Sequence, residues 1–392
     1  MHPTGPDLGA RSREYAGQVV KSTVSSITID SYDREKLSAA LTRLLSPLGG
    51  LGRFVKPGMK VLLKPNLLSA RSPEGAVTTH PELVAAVAEA CHRIGATVFI
   101  GDSPGGIARG LKRVWDNTGM SGIAESTGAR LVGFESGDVR RVMVEDREYH
   151  LSSCAFDFDF IVSLSKLKTH VLTNFTGAIK NCYGFIPGLR KSDYHKKNPD
   201  AEAFSRVVVD IYSIVRPGLS IMDAGLAMEG DGPASGHPRW LGFLFASVDG
   251  VALDSAVMSL LDSGRRRVWP TEIAAERGLG AADPAAIRAE GPAFEKSTIS
   301  NFRMPSNAYL RFIPSFLVKA LEPHVWVRPA IDHESCTMCN VCVINCPQDV
   351  IYKEAGRLKF DYDNCIKCMC CHELCPHRSV YLEKSLLARL IG

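Results

Sequence analysis

No stretch of the 392 residues approaches the ~18 consecutive apolar residues that a membrane helix needs, which argues against a transmembrane segment. Met1–Val20 lacks the apolar core of a secretory leader. Nucleotide signatures are missing as well. Gly101-Asp102-Ser103-Pro104-Gly105-Gly106 has no Gly-Lys-Ser/Thr ending and is not G-x-G-x-x-G. With no flavin or nicotinamide motif, nothing in the sequence signals a group that turns single electrons into a hydride. Acidic residues are absent from Phe160 through Ser192, although the chain carries 42 Asp and Glu against 46 Lys and Arg. Internal repeats are also absent, apart from one pair of cysteine runs. Hydrophobic and charged shares of 45% and 22% are ordinary for a soluble globular chain, and the length exceeds one average domain.

Eight of the twelve cysteines form two runs of Cys-x-x-Cys-x-x-Cys-x-x-x-Cys-Pro: Cys336, Cys339, Cys342, Cys346 and Cys365, Cys368, Cys371, Cys375, closed by Pro347 and Pro376. This is the two-cluster bacterial ferredoxin spacing, in which the fourth cysteine of each run serves the other 4Fe–4S cube. The exchange assigns Cys336, Cys339, Cys342 and Cys375 to one cluster, and Cys365, Cys368, Cys371 and Cys346 to the other. Thiolate pairs also bind zinc, but a zinc ribbon does not need tandem four-cysteine runs each closed by proline. Free thiols and oxygen-sensitive clusters point to a reducing compartment, the cytoplasm by default. The formal charge of +4 counts thiols as neutral. Each oxidised cube with its thiolates brings about −2, so no nucleic-acid partner is read from charge. Cys91 lies on an apolar helix face, Cys154 and Cys182 have no evident partner, and Cys370 falls outside the ligand spacing as a bystander.

The remainder predicts an α/β fold: a mainly parallel sheet with helices on both faces, followed by a small C-terminal bacterial-ferredoxin-like α+β domain. Met59–Pro65 reads as a buried strand. Thr79 or His80 then caps a helix begun by Pro81 and stopped by Gly95, and Ala96–Gly101 is the next strand. Strand, helix and strand with a short return make a parallel βαβ unit. Further strands are expected at Ala129–Phe134, Phe158–Leu164, Leu219–Met222 and Leu241–Val248, with helices near Glu202–Ile214 and Val251–Leu261. Arg141–Glu145 and Glu148–Ser152 read as an edge hairpin, and residues 265–290 as alanine-rich helical turns. The expected division is an N-terminal extension (1–20), the α/β domain (21–300), a linker or docking segment (301–329), the ferredoxin-type domain (330–380) and a tail (381–392). The amphipathic stretch Asn307–Pro329 is expected to dock that module onto the α/β domain.

Chemistry in such sheets gathers at the carboxyl ends of strands. Asn66 after the first strand either orients a ligand or caps a turn. Asp102 opens a loop that is a tight turn or a phosphate cradle. In the acid-free segment, Lys166 and Lys168 sit two apart on one strand face and call for an anionic partner. His170 and Lys180 are candidate proton donors, with Lys168 in the catalytic set beside them. Asn181 would orient a substrate, and Asp223 and Glu229 would shape the far wall. The loop Asp223–Gly236 is a shaped substrate loop or a divalent-ion site.

Lys64-Pro65-Asn66, Thr78–Pro81, Gly101–Pro104, Lys166–His170, Thr176–Asn181 and Met228–Pro233 together resemble the family catalogued as domain of unknown function 362 (DUF362), whose members often end in a two-cluster ferredoxin module. The resemblance covers roughly residues 55–290 and the tail. It implies an α/β iron–sulfur protein, a redox enzyme without an assigned reaction. The resulting expectation is an iron–sulfur oxidoreductase passing single electrons from an external donor (ferredoxin, flavodoxin or reductase) through two 4Fe–4S clusters to an anionic small-molecule substrate. The alternative is a non-catalytic electron-transfer or accessory subunit. The sequence leaves the substrate and the oligomeric state open.

Overall fold

A computed structural model of the chain describes residues 21–105, 110–135, 137–188, 190–261, 268–295, 299–305 and 326–391. The extension 1–20 and most of the segment 307–329 lie outside the described residues. Strands in chain order are β1 (Ser22–Thr28), β2 (Lys60–Pro65), β3 (Thr97–Asp102), β4 (Arg130–Gly133), β5 (Val139–Val144), β6 (Arg147–Ser152), β7 (Phe160–His170), β8 (Asn174–Thr176), β9 (Leu219–Glu229), β10 (His237–Ser247) and β11 (Ile287–Glu290). The main sheet runs β11-β1-β10-β9-β7-β2-β3-β4, with β8 paired to β7. Strands β9, β7, β2, β3 and β4 are mutually parallel, as are β11 and β1. Strand β10 opposes both neighbours, and β8 opposes β7.

Both sheet faces are covered, and β2 shows why. Val61 and Leu63 enter the core built with helices Arg34–Leu45 and Pro81–Ile94, whereas Leu62 enters the opposite core with helix Ala201–Val215. Alternation along one continuously apolar strand therefore feeds two cores. Helix Pro81–Ile94 begins and ends on sequence signals. The His80 side chain accepts from the Glu82 N–H, Pro81 occupies the first turn, and Gly95 closes it at φ 95°.

Several expectations change. The β5–β6 hairpin is a separate two-stranded sheet and not an edge of the main one. It is tied to helix Ala201–Val215 through Asp210, which takes the Tyr149 hydroxyl and the Arg147 guanidinium. Within 265–290, helix Trp269–Glu276 is described, but Ile287–Glu290 is an edge strand beside β1. Strands β7 and β9 each run several residues beyond the apolar stretch that marked them, so Asp223 lies inside β9.

The C-terminal module comprises β12 (Val327–Ile331), β13 (Ile351–Glu354), β14 (Arg357–Phe360) and β15 (Val380–Lys384), with short helices Val341–Ile344 and Cys370–Leu374. Strands β12 and β15 pair antiparallel, as do β13 and β14. Limits at 330 and 380 cut through β12 and β15, so the module is wider than its cysteines suggest.

Candidate functional site

The two cysteine runs fold as internal copies. Met338 and Asn340 in the first run take positive φ (56° and 60°), and Lys367 and Met369 repeat this at the equivalent places (53° and 64°). Such alternation turns successive N–H groups into concavities that hold anionic centres. One void is lined by Cys336, Cys339, Cys342 and Cys375, the other by Cys346, Cys365, Cys368 and Cys371. Four thiolates around each void, three from one run and one from the other, form a donor set that fits iron–sulfur clusters.

The copies differ in their surroundings. Cys339 is exposed and Cys368 buried. Ile344, on the first run's helix, is 53% exposed, while its counterpart Glu373 is buried. What covers the second copy is the α/β domain. Glu373 Oε1 stands 3.0 Å from His170 Nε2 at the end of β7, Arg71 donates to the Cys375 carbonyl, and Val171 packs with Val327 and Met369. Gly105 permits the close approach, since a Cβ there would lie 2.3 Å from Leu374 Cδ2.

His170 therefore serves a purpose other than the one expected of it. Its Nδ1 accepts from the Leu172 and Thr173 N–H groups at 3.1 and 3.3 Å, which leaves the proton on Nε2, facing Glu373. Burial pushes its pKa down to about 3, so the ring is neutral. His170 brackets the two domains together and does not line the cavity that they enclose.

That cavity, of about 80 Å³, lies at the carboxyl ends of β2, β3 and β7. Of the expected site residues, Asn66, Asp102, Lys168, Lys180 and Asn181 line it, joined by Lys64, Thr176, Tyr183, Lys191 and His195. Cys370 and Glu373 close it from the module side, so Cys370 is no bystander: it stands between two cysteines of the second void and faces the lysines. Lys64 pairs with Asp102 at 2.7 Å. Lys168 Nζ donates to Asn66 Oδ1 (2.8 Å) and the Val77 carbonyl (2.7 Å). Lys191 Nζ is held by the Ser103 hydroxyl, the Ser103 carbonyl and the Pro104 carbonyl. Lys180 lies over the Tyr183 and Phe204 rings. Asp254 fixes the short helix Ala178–Asn181 that carries Lys180 and Asn181, by accepting from the Ala178 and Ile179 N–H groups at 2.7 and 3.0 Å. Burial pushes Asp254 up to about 7.

Four lysines against Asp102 and Glu373 leave the wall two positive charges in excess when all are ionised. Burial is accordingly felt by the ammoniums. It lowers Lys180, lowers Lys168 well below its usual range with help from Lys180, and pulls Lys191 to about 8. An anion in the cavity would oppose all three shifts.

Lys166, Asp223 and Glu229 lie away from the cavity. The register of β7 against β9 shifts between Lys166 and Lys168, so the two lysines do not share a target as a regular strand would require. Lys166 Nζ instead meets Asp223 Oδ2 at 2.8 Å, both fully buried. Asp223 also accepts from the Tyr32 hydroxyl (2.5 Å) and the His80 N–H (2.9 Å). Burial works against its charge, but Lys166 and these donors keep its pKa below the usual range. Glu229 is engaged by Arg239 at 2.9 Å. Lys166→Met should therefore strand a buried carboxylate and lower unfolding stability by about 3–5 kcal/mol, read from denaturant melts. A loss below ~1 kcal/mol would return Lys166 to the candidate ligand-binding set.

Sequence reasoning missed His195, Tyr183, Thr176 and Lys64 as a set. Signals existed for most of them: Thr176, Tyr183 and Lys191 lie in the acid-free segment, and Lys64 and Thr176 stand in the motifs that carry the family resemblance. His195 and Tyr183 arrive through helix Arg190–Lys197 and the turn before it, which have no periodicity pointing to the sheet.

Fold and site together define a two-part iron–sulfur protein, with a lysine-lined cavity in an α/β domain and a ferredoxin-type module closing it. The chain belongs to the DUF362 family: residues 61–259 match the domain of unknown function of that name, and residues 328–376 match the 4Fe-4S dicluster domain. A thylakoid-associated protein from Synechocystis sp. is 40% identical over 261 residues, 66% of this chain and 80% of that protein. Among solved structures, the lactate racemase apoprotein from Thermoanaerobacterium thermosaccharolyticum aligns at 12% identity with a TM-score of 0.39, over 60% of this chain and 57% of that one. A Thermotoga maritima protein aligns at 14% identity with a TM-score of 0.36, over 64% and 60%. The chain thus spans less than two thirds of either. No helix among the described residues is long and apolar enough to cross a membrane.

Proposed function

We propose that this chain is an iron–sulfur oxidoreductase that delivers single electrons to a small anionic substrate held in the lysine cavity. The observation that carries the reading is the shared wall: Cys370, between cysteines of the second void, and Lys168 and Lys180 of the α/β domain line the same space. Two 4Fe–4S clusters, cross-ligated as the cysteine spacing assigns them, would supply electrons one at a time. The protein's own part is electrostatic. Lys168 and Lys180 hold the anion and offset negative charge that builds on it during reduction, in a largely buried site between the two domains. Asn66 and Asn181 orient it, and Lys180 is the candidate to release a proton, because burial lowers its pKa and, unlike Lys168, its ammonium is tied to no carbonyl among the described residues. An external electron-donor protein is part of the proposal.

The deciding experiment is anaerobic purification, mass spectrometry of small anions released on denaturation, and addition of each to the dithionite-reduced protein. Reoxidation of the clusters by a released anion supports the reading. A protein that carries no such anion, and that is reoxidised by none of a panel of small carboxylates and phosphates, is an electron carrier only.

Affinity for the anion should also depend on pH, with a definite sign. Lys191 titrates near 8, and the anion favours charged lysines. Raising pH through 8 removes positive charge from the empty cavity, so binding weakens from pH 7 to 9 and takes up protons. Calorimetry in two buffers of different ionisation enthalpy measures this uptake; binding that strengthens with pH would contradict it.

A further inference from the structure

Counting the ammonium hydrogens of the cavity lysines shows where a substrate can attach. Each lysine has three donors. Lys64 gives its three to Asp102, the Pro65 carbonyl and Asn181 Oδ1. Lys191 gives its three to Ser103 and Pro104. These two contribute charge and no contact. Lys168 uses two and keeps one. Lys180, among the described residues, has no hydrogen-bond or ion-pair partner, only the faces of Tyr183 and Phe204. Two further polar atoms on the same wall are buried and unpartnered: Thr176 Oγ1 and His195 Nδ1, in residues 2% and 4% exposed. Thr176 sits directly opposite Lys168 in the β7–β8 register. A buried polar group without a partner costs stability, so Thr176 Oγ1 and His195 Nδ1, together with the spare ammonium hydrogens of Lys168 and Lys180, mark the places where a ligand completes the protein.

On the strength of the redox reading above, we propose that Lys168, Lys180 and Thr176 form a three-point seat for one terminal oxyanion of the substrate, and that His195 Nδ1 meets a second hydrogen-bonding group on it. The cavity of about 80 Å³ is several times the ~10–15 Å³ one water requires and limits the ligand to a few heavy atoms. The substrate class is a short oxyanion carrying one more polar group. His195 is held for this task by stacking on Phe204, with ring centroids 3.9 Å apart, and by the edge contact with Tyr183. Burial first, then Lys180, keeps it neutral, its pKa near 4, so Nδ1 serves as a hydrogen-bonding atom at neutral pH.

The test is calorimetric titration of the metallated, dialysed protein with acetate, inorganic phosphate and glycolate. Acetate and phosphate separate a carboxylate seat from a phosphoryl seat; glycolate adds a hydroxyl for His195. In the wild type, acetate or phosphate should bind, and glycolate should bind about tenfold more tightly than acetate, the worth of one buried hydrogen bond. Thr176→Val and Lys180→Gln should each weaken acetate and phosphate about tenfold or more. His195→Asn should leave acetate unchanged and erase the glycolate advantage. If Thr176→Val does not fold, as judged by its iron content, Lys180→Gln decides the seat alone. Wild-type protein that binds none of the three, or variants that bind acetate and phosphate as the wild type does, would overturn the proposal. So would a glycolate preference that survives His195→Asn. Binding that follows this pattern without cluster reoxidation would sink the reductase reading and leave the seat standing.

Discussion

Cys346→Ser is expected to cost the protein about half its iron, and the half lost should belong to the void lined by the other run. Cys346 shares its void with Cys365, Cys368 and Cys371, not with its own sequence neighbours. A reading in which each run serves itself predicts the opposite site. Anaerobic analysis of the wild type should give about eight irons and as many sulfides, with spin coupling between the reduced centres in EPR. In Cys346→Ser the coupling should vanish while one centre persists. Any activity toward a cavity-bound substrate should disappear as well, because the damaged site is the one against the cavity wall. Cys370→Ser should retain full iron, since Cys370 lines the cavity and neither void. Zinc in place of iron, or unchanged coupling in Cys346→Ser, would end this reading.

Lys180→Met should abolish retention of the anion while leaving iron content and melting behaviour close to wild type. Losing a buried charge partner is worth about 3 kcal/mol or more, on the order of a hundredfold in affinity. The substitution is clean because the Lys180 ammonium holds nothing else in place, and the methionine can keep its stem against Tyr183 and Phe204. Lys168→Met is the informative contrast. It should lose the anion too, but it also strips Asn66 Oδ1 and the Val77 carbonyl of their donor and should lower stability by about 1–3 kcal/mol. Equal stability loss in both variants, or full retention of the anion in Lys180→Met, would mean that the lysines are scaffolding.

The strands, the helix from Pro81 to Ile94 and the cysteine pairing were legible because each rests on local chemistry: apolar runs, caps and ligand spacing. β1 and helix Arg34–Leu45 went unread: β1 mixes serines and threonines with few apolar residues, and the helix was passed over although Asp33 caps it and Pro47 and Gly49 follow its end. The site was half legible. The missing acids of 160–192 drew attention to Lys168, Lys180 and Asn181, all on the cavity. The same argument misplaced Lys166, because the pairing of β7 with β9 shifts register between the two lysines, with the extra residues on β9, and leaves Lys166 opposite Asp223. It misread His170, whose partner Glu373 lies some two hundred residues on and belongs to another domain. Contacts made by docking leave no trace in either sequence segment alone, and this is why Cys370 looked idle.

The internal duplication of the cysteine module has a consequence for energy as well as for shape. Two copies of one ligand pattern would have matched affinities for an electron if their environments matched, and they do not. Around the first copy, Cys339 and Ile344 meet solvent, whose polarisation eases added negative charge. Around the second, Cys368 and Cys371 are buried, with Glu373 nearby and the Lys168–Lys180 wall beyond. Potential depends on exposure and on local charge, and both differ between the copies. Docking against the α/β domain thus breaks a symmetry written twice in the sequence, and gives an otherwise directionless pair of sites a front and a back.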